Sequence, residues 1–316
     1  MYIEFRSIAD MNKVILHNLQ KIPHDINFVV GIPRSGMLPA NLIALYLNKP
    51  FTDIDSFMNG KIYSSGNRGA FISHSNKNRV LVVDDSICGG NSLSKAKEKL
   101  KGMEEKYHLE YVVIYATTEG SKIVDYYFEI IDYPRIFQWN IFHHKSFIPR
   151  SCFDIDGVLC QDPPVDDDGP VYNEYIANTS PLYVPSLEID TLVSCRLEKY
   201  REVTEKWLER NKVKYKHLIM LDFKTKEERR AWGKHGEYKG EVYKKSGNIL
   251  FVESCLDQAK IISKISGKPV FCTETFEMII DNVVVEKIET RLRWCLVKLL
   301  RKIYYAIKSK VILIRS

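Results

Sequence analysis

Residues 79–93 read RVLVVDDSICGGNSL, and the fold turns on how they are read. Val80, Leu81, Val82 and Val83 run directly into Asp84 and Asp85, then into a small glycine-bearing turn. An unbroken apolar run of this length marks a strand buried on both faces, as in a parallel sheet. In open parallel sheets, ligands bind beyond the carboxyl ends of the strands, where the two acids stand. The turn Cys88, Gly89, Gly90, Asn91 and Ser92 then opens a helix. Its successive amides and the helix dipole make a cradle for a phosphate dianion, and Ser92 adds a hydroxyl donor. No lysine follows the glycines, which excludes a Walker A loop. The carboxylates can accept hydrogen bonds from vicinal sugar hydroxyls or position Mg²⁺ through water. A phosphate cradle beside diol acceptors suits a ribose 5-phosphate.

Outward from this strand, the first half alternates strands and helices. Residues 27–32 (NFVVGI) and 111–116 (YVVIYA) read as strands, and 38–47 (LPANLIALYL) and 94–106 as helices. This is the βαβ rhythm of a parallel sheet with helices on both faces. Residues 58–78 are polar, carry Gly60, Gly66 and Gly69, and read as a mobile loop. The pattern breaks at 143–150 (HHKSFIPR), and a new strand begins with CFDIDG. Further strands are expected at 191–193, 218–221, 249–252 and 269–272, with helices between them. The expected fold is therefore α/β, with two Rossmann-like parallel-sheet domains at 1–149 and 150–285. A basic tail follows at 286–316. A length of 316 residues suits two domains.

Composition is that of a soluble protein, 45% hydrophobic and 27% charged, with no apolar run long enough to span a membrane. The start, MYIEFRSIADMNK, has an early acid and no apolar core, so a secretory signal is not expected. Seven cysteines without metal-ligand spacing argue for reduced thiols in a cytoplasm. In the tail, Ile288, Leu292, Cys295, Leu296, Leu299, Ile303 and Ile307 recur at helical spacing among arginines and lysines. A basic amphipathic helix of this kind can lie on the anionic inner face of the cell membrane. It can equally pack on the protein or pair two copies into a homodimer. No nucleic-acid partner is expected, because no basic patch with interleaved aromatics occurs elsewhere.

With its four apolar residues, two acids and small turn, the 79–93 segment resembles the type I phosphoribosyltransferase signature. Gly89 stands where that family usually has threonine, and Asn91 where glycine or lysine is common. A second segment, GIPRSGMLPA (31–40), resembles the family's pyrophosphate loop through Arg34, Ser35 and Gly36. The resemblance implies phosphoribosyl pyrophosphate (PRPP) as donor. Its 5-phosphate would sit on Cys88, Gly89, Gly90, Asn91 and Ser92, its diol near Asp84 and Asp85, and its Mg²⁺-pyrophosphate near Arg34. Lys61 or Arg68 could close over it from the 58–78 loop. Phe137 and Trp139 resemble the aromatic hood that selects the acceptor in some members.

Residues 153–158 read FDIDGV. Asp154 and Asp156, two apart at a strand end, face one pocket, so that one can attack phosphorus and the other can protonate the leaving oxygen. The segment resembles the first motif of the haloacid dehalogenase superfamily of Mg²⁺-dependent phosphatases. By that resemblance, Ser194 supplies the second motif and Lys239 the third, with Lys234 and Lys244 as alternatives. The fourth motif offers Glu253 and Asp257 as metal-holding residues beside Asp154 and Asp156, with either one open as the ligand. Ser254 departs from the usual paired acids. Asp166, Asp167 and Asp168, flanked by prolines and Gly169, read as an exposed loop.

The first domain is thus expected to move 5-phosphoribosyl from PRPP, and the second to hydrolyse a phosphomonoester. The pairing is similar to bacterial O-antigen and capsule ribofuranosyltransferase systems, which implies a lipid-linked glycan acceptor and a peripheral membrane location. The alternatives are a nucleobase-type phosphoribosyltransferase with a separate phosphatase activity, or a PRPP sensor.

Overall fold

The apolar run at 80–83 lies at the centre of a five-stranded parallel sheet. In the computed structural model, which describes residues 3–63, 78–163 and 168–280, the chain divides into two compact units. One ends at Ile141 and the other begins at Phe142. The first unit runs β1 (Glu4–Arg6), α1 (Ile8–Asn18), β2 (Ile26–Gly31), α2 (Met37–Leu47), β3 (Phe51–Asp53) and α3 (Ile54–Met58). It continues through β4 (Asn78–Ile87), α4 (Asn91–Lys99), β5 (Tyr107–Ala116), β6 (Tyr126–Ile130) and β7 (Arg135–Phe137). The sheet order is β3-β2-β4-β5-β6, every pair parallel, while β1 and β7 form a separate parallel pair.

Two-sided burial explains why this strand needs four apolar residues in a row. Leu81 and Val83 pack in one cluster with Met11, Ile15 and Ile43 from α1 and α2. Val80 and Val82 join the other, with Phe57 from α3 and Leu93 and Ala96 from α4. Each fully buried aliphatic side chain contributes about 1.5–3 kcal/mol of transfer free energy. Two expectations change. The helix expected over 94–106 occupies Asn91–Lys99 and is followed at Gly102 by left-handed backbone, φ 89°. The strand does not stop at the acids: β4 continues through Asp84 and Asp85 to Ile87, pairing Asp84 with Val113 and Ile87 with Ala116.

The second unit runs β8 (Ser151–Phe153), α5 (Gly169–Asn178), β9 (Ile189–Leu197), α6 (Arg201–Arg210), β10 (Tyr215–Leu221) and α7 (Lys226–Trp232). Then come α8 (His235–Lys245), β11 (Leu250–Glu253), α9 (Leu256–Ser266), β12 (Val270–Cys272) and β13 (Glu277–Ile279). Its sheet order is β10-β9-β8-β11-β12-β13, parallel except for the β12–β13 pair. Cys152, Val193, Phe251 and Val270 pack against Tyr243 of α8 and Ala259 and Ile262 of α9. Both units are therefore parallel-sheet α/β folds. Asp168 is half-buried rather than exposed: its carboxylate caps α5 by accepting the Gly169 N–H and pairs with Lys199 at 2.5 Å. Arg68, Asp166, Asp167 and the tail at 286–316 lie outside the described residues. Among the described residues, no helix is long and apolar enough to cross a membrane.

Candidate active sites

Consecutive strand residues face opposite sides of a sheet. Asp84 continues the Val80 and Val82 face, and it lines a cavity of about 240 Å³ together with Ser86, Cys88, Gly89, Gly90, Asn91 and Ser92. Asp85 continues the Leu81 and Val83 face, where its carboxylate is already engaged. Its Oδ1 accepts from Ser35 Oγ at 2.7 Å and its Oδ2 from Trp139 Nε1 at 2.8 Å. The two acids therefore do not share the diol role expected of them: Asp84 faces the cradle, and Asp85 ties the 34–36 loop to Trp139. Burial, with the Asp85 carboxylate adding repulsion, pushes the Asp84 carboxyl up to about 8.

The 34–36 loop is held against the end of β4. A Cβ on Gly36 would sit 2.6 Å from the Ile32 oxygen, 2.7 Å from the Val83 oxygen and 2.9 Å from Asp84 Cα. All three are backbone atoms that cannot swing aside, so glycine is required for this approach. Ser35 is thereby brought to Asp85, while Arg34 stays exposed to solvent. Lys61 is exposed and its ammonium lies 5.6 Å from the centroid of the Tyr63 ring.

The aromatic pair is not an open hood. Phe137 is 3% exposed and belongs to the core, its ring stacked on Trp139 at 4.7 Å and on Tyr115 at 5.1 Å. Sequence reading missed Tyr133 and Arg135, which also line the cradle. Arg135 is buried and donates to the carbonyls of Ile131 and Ile87, both at 2.8 Å. It sets a cation in the wall of the cavity that the 88–92 turn lines. A buried arginine in the short apolar stretch RIF was the available signal.

In the second unit, the acid pair sits at the head of β8 in a cavity of about 550 Å³. Asp154 follows the strand directly and its N–H bonds the Val252 carbonyl at 3.0 Å. Lys239 reaches in from α8, its Nζ 2.6 Å from Asp154 Oδ2 and 2.7 Å from Glu253 Oε2. Burial disfavours the Lys239 ammonium, but the Asp154 and Glu253 carboxylates outweigh it and hold its pKa above the ordinary lysine value. Two carboxylates against one ammonium leave a net negative charge in this enclosure. Burial accordingly raises the Asp154 carboxyl, Lys239 opposing and Glu253 adding to the shift. Lys234 and Lys244 are exposed and take no part.

Asp156 has a partner the sequence reading did not name. Arg196, its side chain 0% exposed, donates from Nη2 to Oδ1 at 2.7 Å and from Nε to Oδ2 at 3.0 Å. Arg196 also donates to Thr204 Oγ1 at 3.2 Å. Ser194 does not line the cavity. It is enclosed, its Oγ accepts the Arg196 N–H at 3.1 Å, and the next residue, Cys195, lines the wall instead. Strand alternation again decides the face, and the expectation was one residue out of phase. Asp257 is likewise corrected: its side chain is 88% exposed and pairs with Lys260 at 3.4 Å on the first turn of α9. Glu253 is the acid that reaches the cluster.

Ser254, the departure in the fourth motif, has a packing reason. Its Oγ donates to the Asp156 carbonyl at 3.2 Å. Gly157, at φ 72°, runs so close beneath it that a Cβ there would lie 2.4 Å from Ser254 Cβ. Asp162, Arg229, His235 and Gln258 also line the wall and were not singled out in the sequence.

Carboxylates are suitable donors for a hard cation such as Mg²⁺. However, Asp154, Asp156, Glu253 and Asp257 are not assembled as a ligand set. Lys239 bridges Asp154 and Glu253, Arg196 holds Asp156, and Asp257 points to solvent. Among the described residues, no group of three or more His, Cys, Asp or Glu side chains is placed to hold a metal ion.

The family described as the phosphoribosyl transferase domain matches residues 6–145. Residues 6–145 are a type I phosphoribosyltransferase domain. The xanthine-guanine phosphoribosyltransferase of Chromohalobacter salexigens is 31% identical over 113 residues, 34% of this chain and 64% of that protein. The chain thus spans less than two thirds of the length of that relative. Among solved structures, the chain is similar to a purine phosphoribosyltransferase from Pyrococcus horikoshii Ot3, with 19% identity and TM-score 0.34, over 44% of this chain and 94% of that one. It is also similar to the Helicobacter pylori xanthine-guanine-hypoxanthine phosphoribosyltransferase, with 18% identity and TM-score 0.34, over 44% and 93%.

Proposed function

We propose that the phosphoribosyltransferase domain transfers 5-phosphoribosyl from PRPP to a glycan hydroxyl, and that the second unit then removes the 5-phosphate. One observation carries the reading: the same chain holds an anion cradle at residues 88–92 and a buried aspartate charge-paired with a lysine, Asp154 with Lys239. Transfer leaves a phosphomonoester on the product. A phosphatase on the same chain would degrade a new nucleotide to a nucleoside, but it finishes a ribofuranosyl residue of a polysaccharide.

In the first step, the 5-phosphate rests on the 88–92 turn and Arg135, with Asp84 toward the ribose hydroxyls. The bond from C1 to pyrophosphate breaks, pyrophosphate leaves with the electron pair past Arg34, and the acceptor oxygen bonds to C1 while its hydroxyl proton passes to the departing pyrophosphate. Mg²⁺ would travel on the donor's phosphates, where one or two protein carboxylates suffice. In the second step, Asp154 attacks phosphorus and the sugar oxygen leaves with a proton that Asp156 takes up from solvent and passes on. Water then cleaves the aspartyl phosphate, losing its proton to Asp156. A membrane-borne acceptor accords with the basic, apolar-periodic sequence of 286–316.

A second reading, with a nucleobase as acceptor, is supported by the name of the xanthine-guanine relative. The burial of Phe137 argues against it, since that ring is already stacked and offers no plane for a base. Incubation with PRPP and a lipid-linked glycan should release pyrophosphate and phosphate in equal amounts. Asp154→Asn should stop phosphate release while phosphorylated ribosyl product accumulates. Phosphate release by Asp154→Asn at the wild-type rate would overturn the phosphatase site. PRPP consumed with xanthine or guanine but with no glycan would establish the second reading, and PRPP bound without turnover would point to a sensor.

A further inference from the structure

The 550 Å³ cavity of the second unit holds more polar groups than phosphate transfer uses. Arg229 of α7, His235 at the start of α8 and Gln258 of α9 all line it. They converge because α8 and α9 pack closely there: a Cβ on Gly236 would lie 3.4 Å from Gln258 Cα. Arg229 Nη1 donates to the carbonyl of Cys195, itself a wall residue. Burial, and after it the charges of Arg229 and Lys239, hold the His235 imidazole below its ordinary pKa. His235 Nε2 and Gln258 Oε1 are enclosed and have no hydrogen-bond partner among the described residues. Buried polar atoms left in that state oppose folding, and a ligand that bonds them removes the penalty.

We propose that His235 and Gln258, beside Arg229, form a subsite for the hydroxyl groups of the sugar that carries the phosphate. This rests on the phosphomonoesterase reading of the same cavity. The chemistry selects the ligand. Gln258 Oε1 can only accept, so it requires an O–H or N–H donor. His235 Nε2 can accept or donate according to its tautomer, and Arg229 donates. A second phosphate group is disfavoured by the Asp156, Asp162 and Glu274 carboxylates in the same wall. Leu182 and Tyr183 supply an apolar surface for the C–H face of a sugar ring. A phosphorylated polyol meets every one of these groups, whereas an aryl phosphate meets the apolar surface alone.

The test compares ribose 5-phosphate with phenyl phosphate on the full chain. In His235→Phe with Gln258→Leu, kcat/KM for ribose 5-phosphate should fall at least tenfold further than kcat/KM for phenyl phosphate. Equal losses on the two substrates would overturn the subsite. The same double variant should match or exceed the wild-type unfolding midpoint, since two unbonded polar atoms are gone, and Gln258→Leu alone serves where the pair does not fold. Should the wild type hydrolyse neither compound, the phosphatase reading fails, and the subsite is decided by calorimetric titration with ribose 5-phosphate. Binding to the wild type, weakened at least tenfold in the variant, supports the subsite. No binding to the wild type, or equal affinity in the variant, overturns it.

Discussion

Two acid pairs stand in or just beyond parallel strands of this protein, and one residue of spacing separates their fates. Asp84 and Asp85 are adjacent on β4, so the pleat sends them to opposite faces of the sheet. Asp84 lines the anion cradle, while Asp85 is bound by Ser35 and Trp139. Asp154 and Asp156 are two apart beyond β8 and share one cavity. Their partners differ as well. Asp84 has another carboxylate as its neighbour, whereas Asp154 and Asp156 each have a buried cation, Lys239 and Arg196. Adjacent acids thus divide into a cavity-facing group and a strut, and alternate acids face one cavity, each held by its own cation.

The sharpest way to break the second pair is to remove its cation. Lys239→Met leaves Asp154 and Glu253 enclosed without a countercharge. Loss of one partner from a buried ion pair costs about 3–5 kcal/mol, to be read from the denaturant midpoint. A variant as stable as the wild type would mean that the enclosure is wetter than its burial suggests. For the first pair, Gly36→Ala should push the 34–36 loop off the end of β4. A displacement of about 1 Å at a positioning loop costs on the order of 10²-fold in turnover, here in PRPP consumption, with secondary structure retained by circular dichroism.

Smaller effects sharpen the contrast. Trp139→Phe keeps the ring stack and deletes the hydrogen bond to Asp85. A bond to a charged group is worth about 1.5–3 kcal/mol, and the lower end is expected at this half-buried site. Unfolding in urea should show it, and an unchanged midpoint would remove Asp85 from its role as a strut. The first pair can also be read through the pH dependence of Asp84. Its carboxyl is raised from 3.8 to about 8 in the folded protein, so the folded state retains its proton more strongly than the unfolded chain does. Stability carries no penalty from this group below pH 4, falls as pH rises from about 4 to 8, and levels off above. Asp84→Asn should therefore raise the melting temperature at pH 8 more than at pH 4, and a gain independent of pH would contradict the shift.

Much of this was legible in the sequence because the signals were local. The run at 80–83 gave the central strand, GIPRSG gave the loop that closes on it, and FDIDGV gave an acid pair in one cavity. Lys239 could be chosen ahead of Lys234 and Lys244. Two of the misses share one physical cause, the phase of side chains along a strand. β4 and β9 both run further than their apolar cores, so Asp85 and Ser194 turned out to be on faces other than those expected. Arg196 escaped notice because a cation inside a strand shows its purpose only once Asp156 is beside it. Asp257 and Glu253 are indistinguishable by residue type, and the start of α9 separates them by leaving Asp257 in solvent.

The sequence by itself determined two parallel-sheet α/β units, a glycine turn at 88–92 and a carboxylate pair following each apolar strand run, because apolar runs and turn glycines act over a few residues. Only the tertiary structure decided which carboxylates face a ligand and which are held by Ser35, Trp139, Lys239 or Arg196. Those partners lie 14 to 85 positions away along the chain, and in a dry interior a charge is governed by what it touches rather than by its neighbours in sequence.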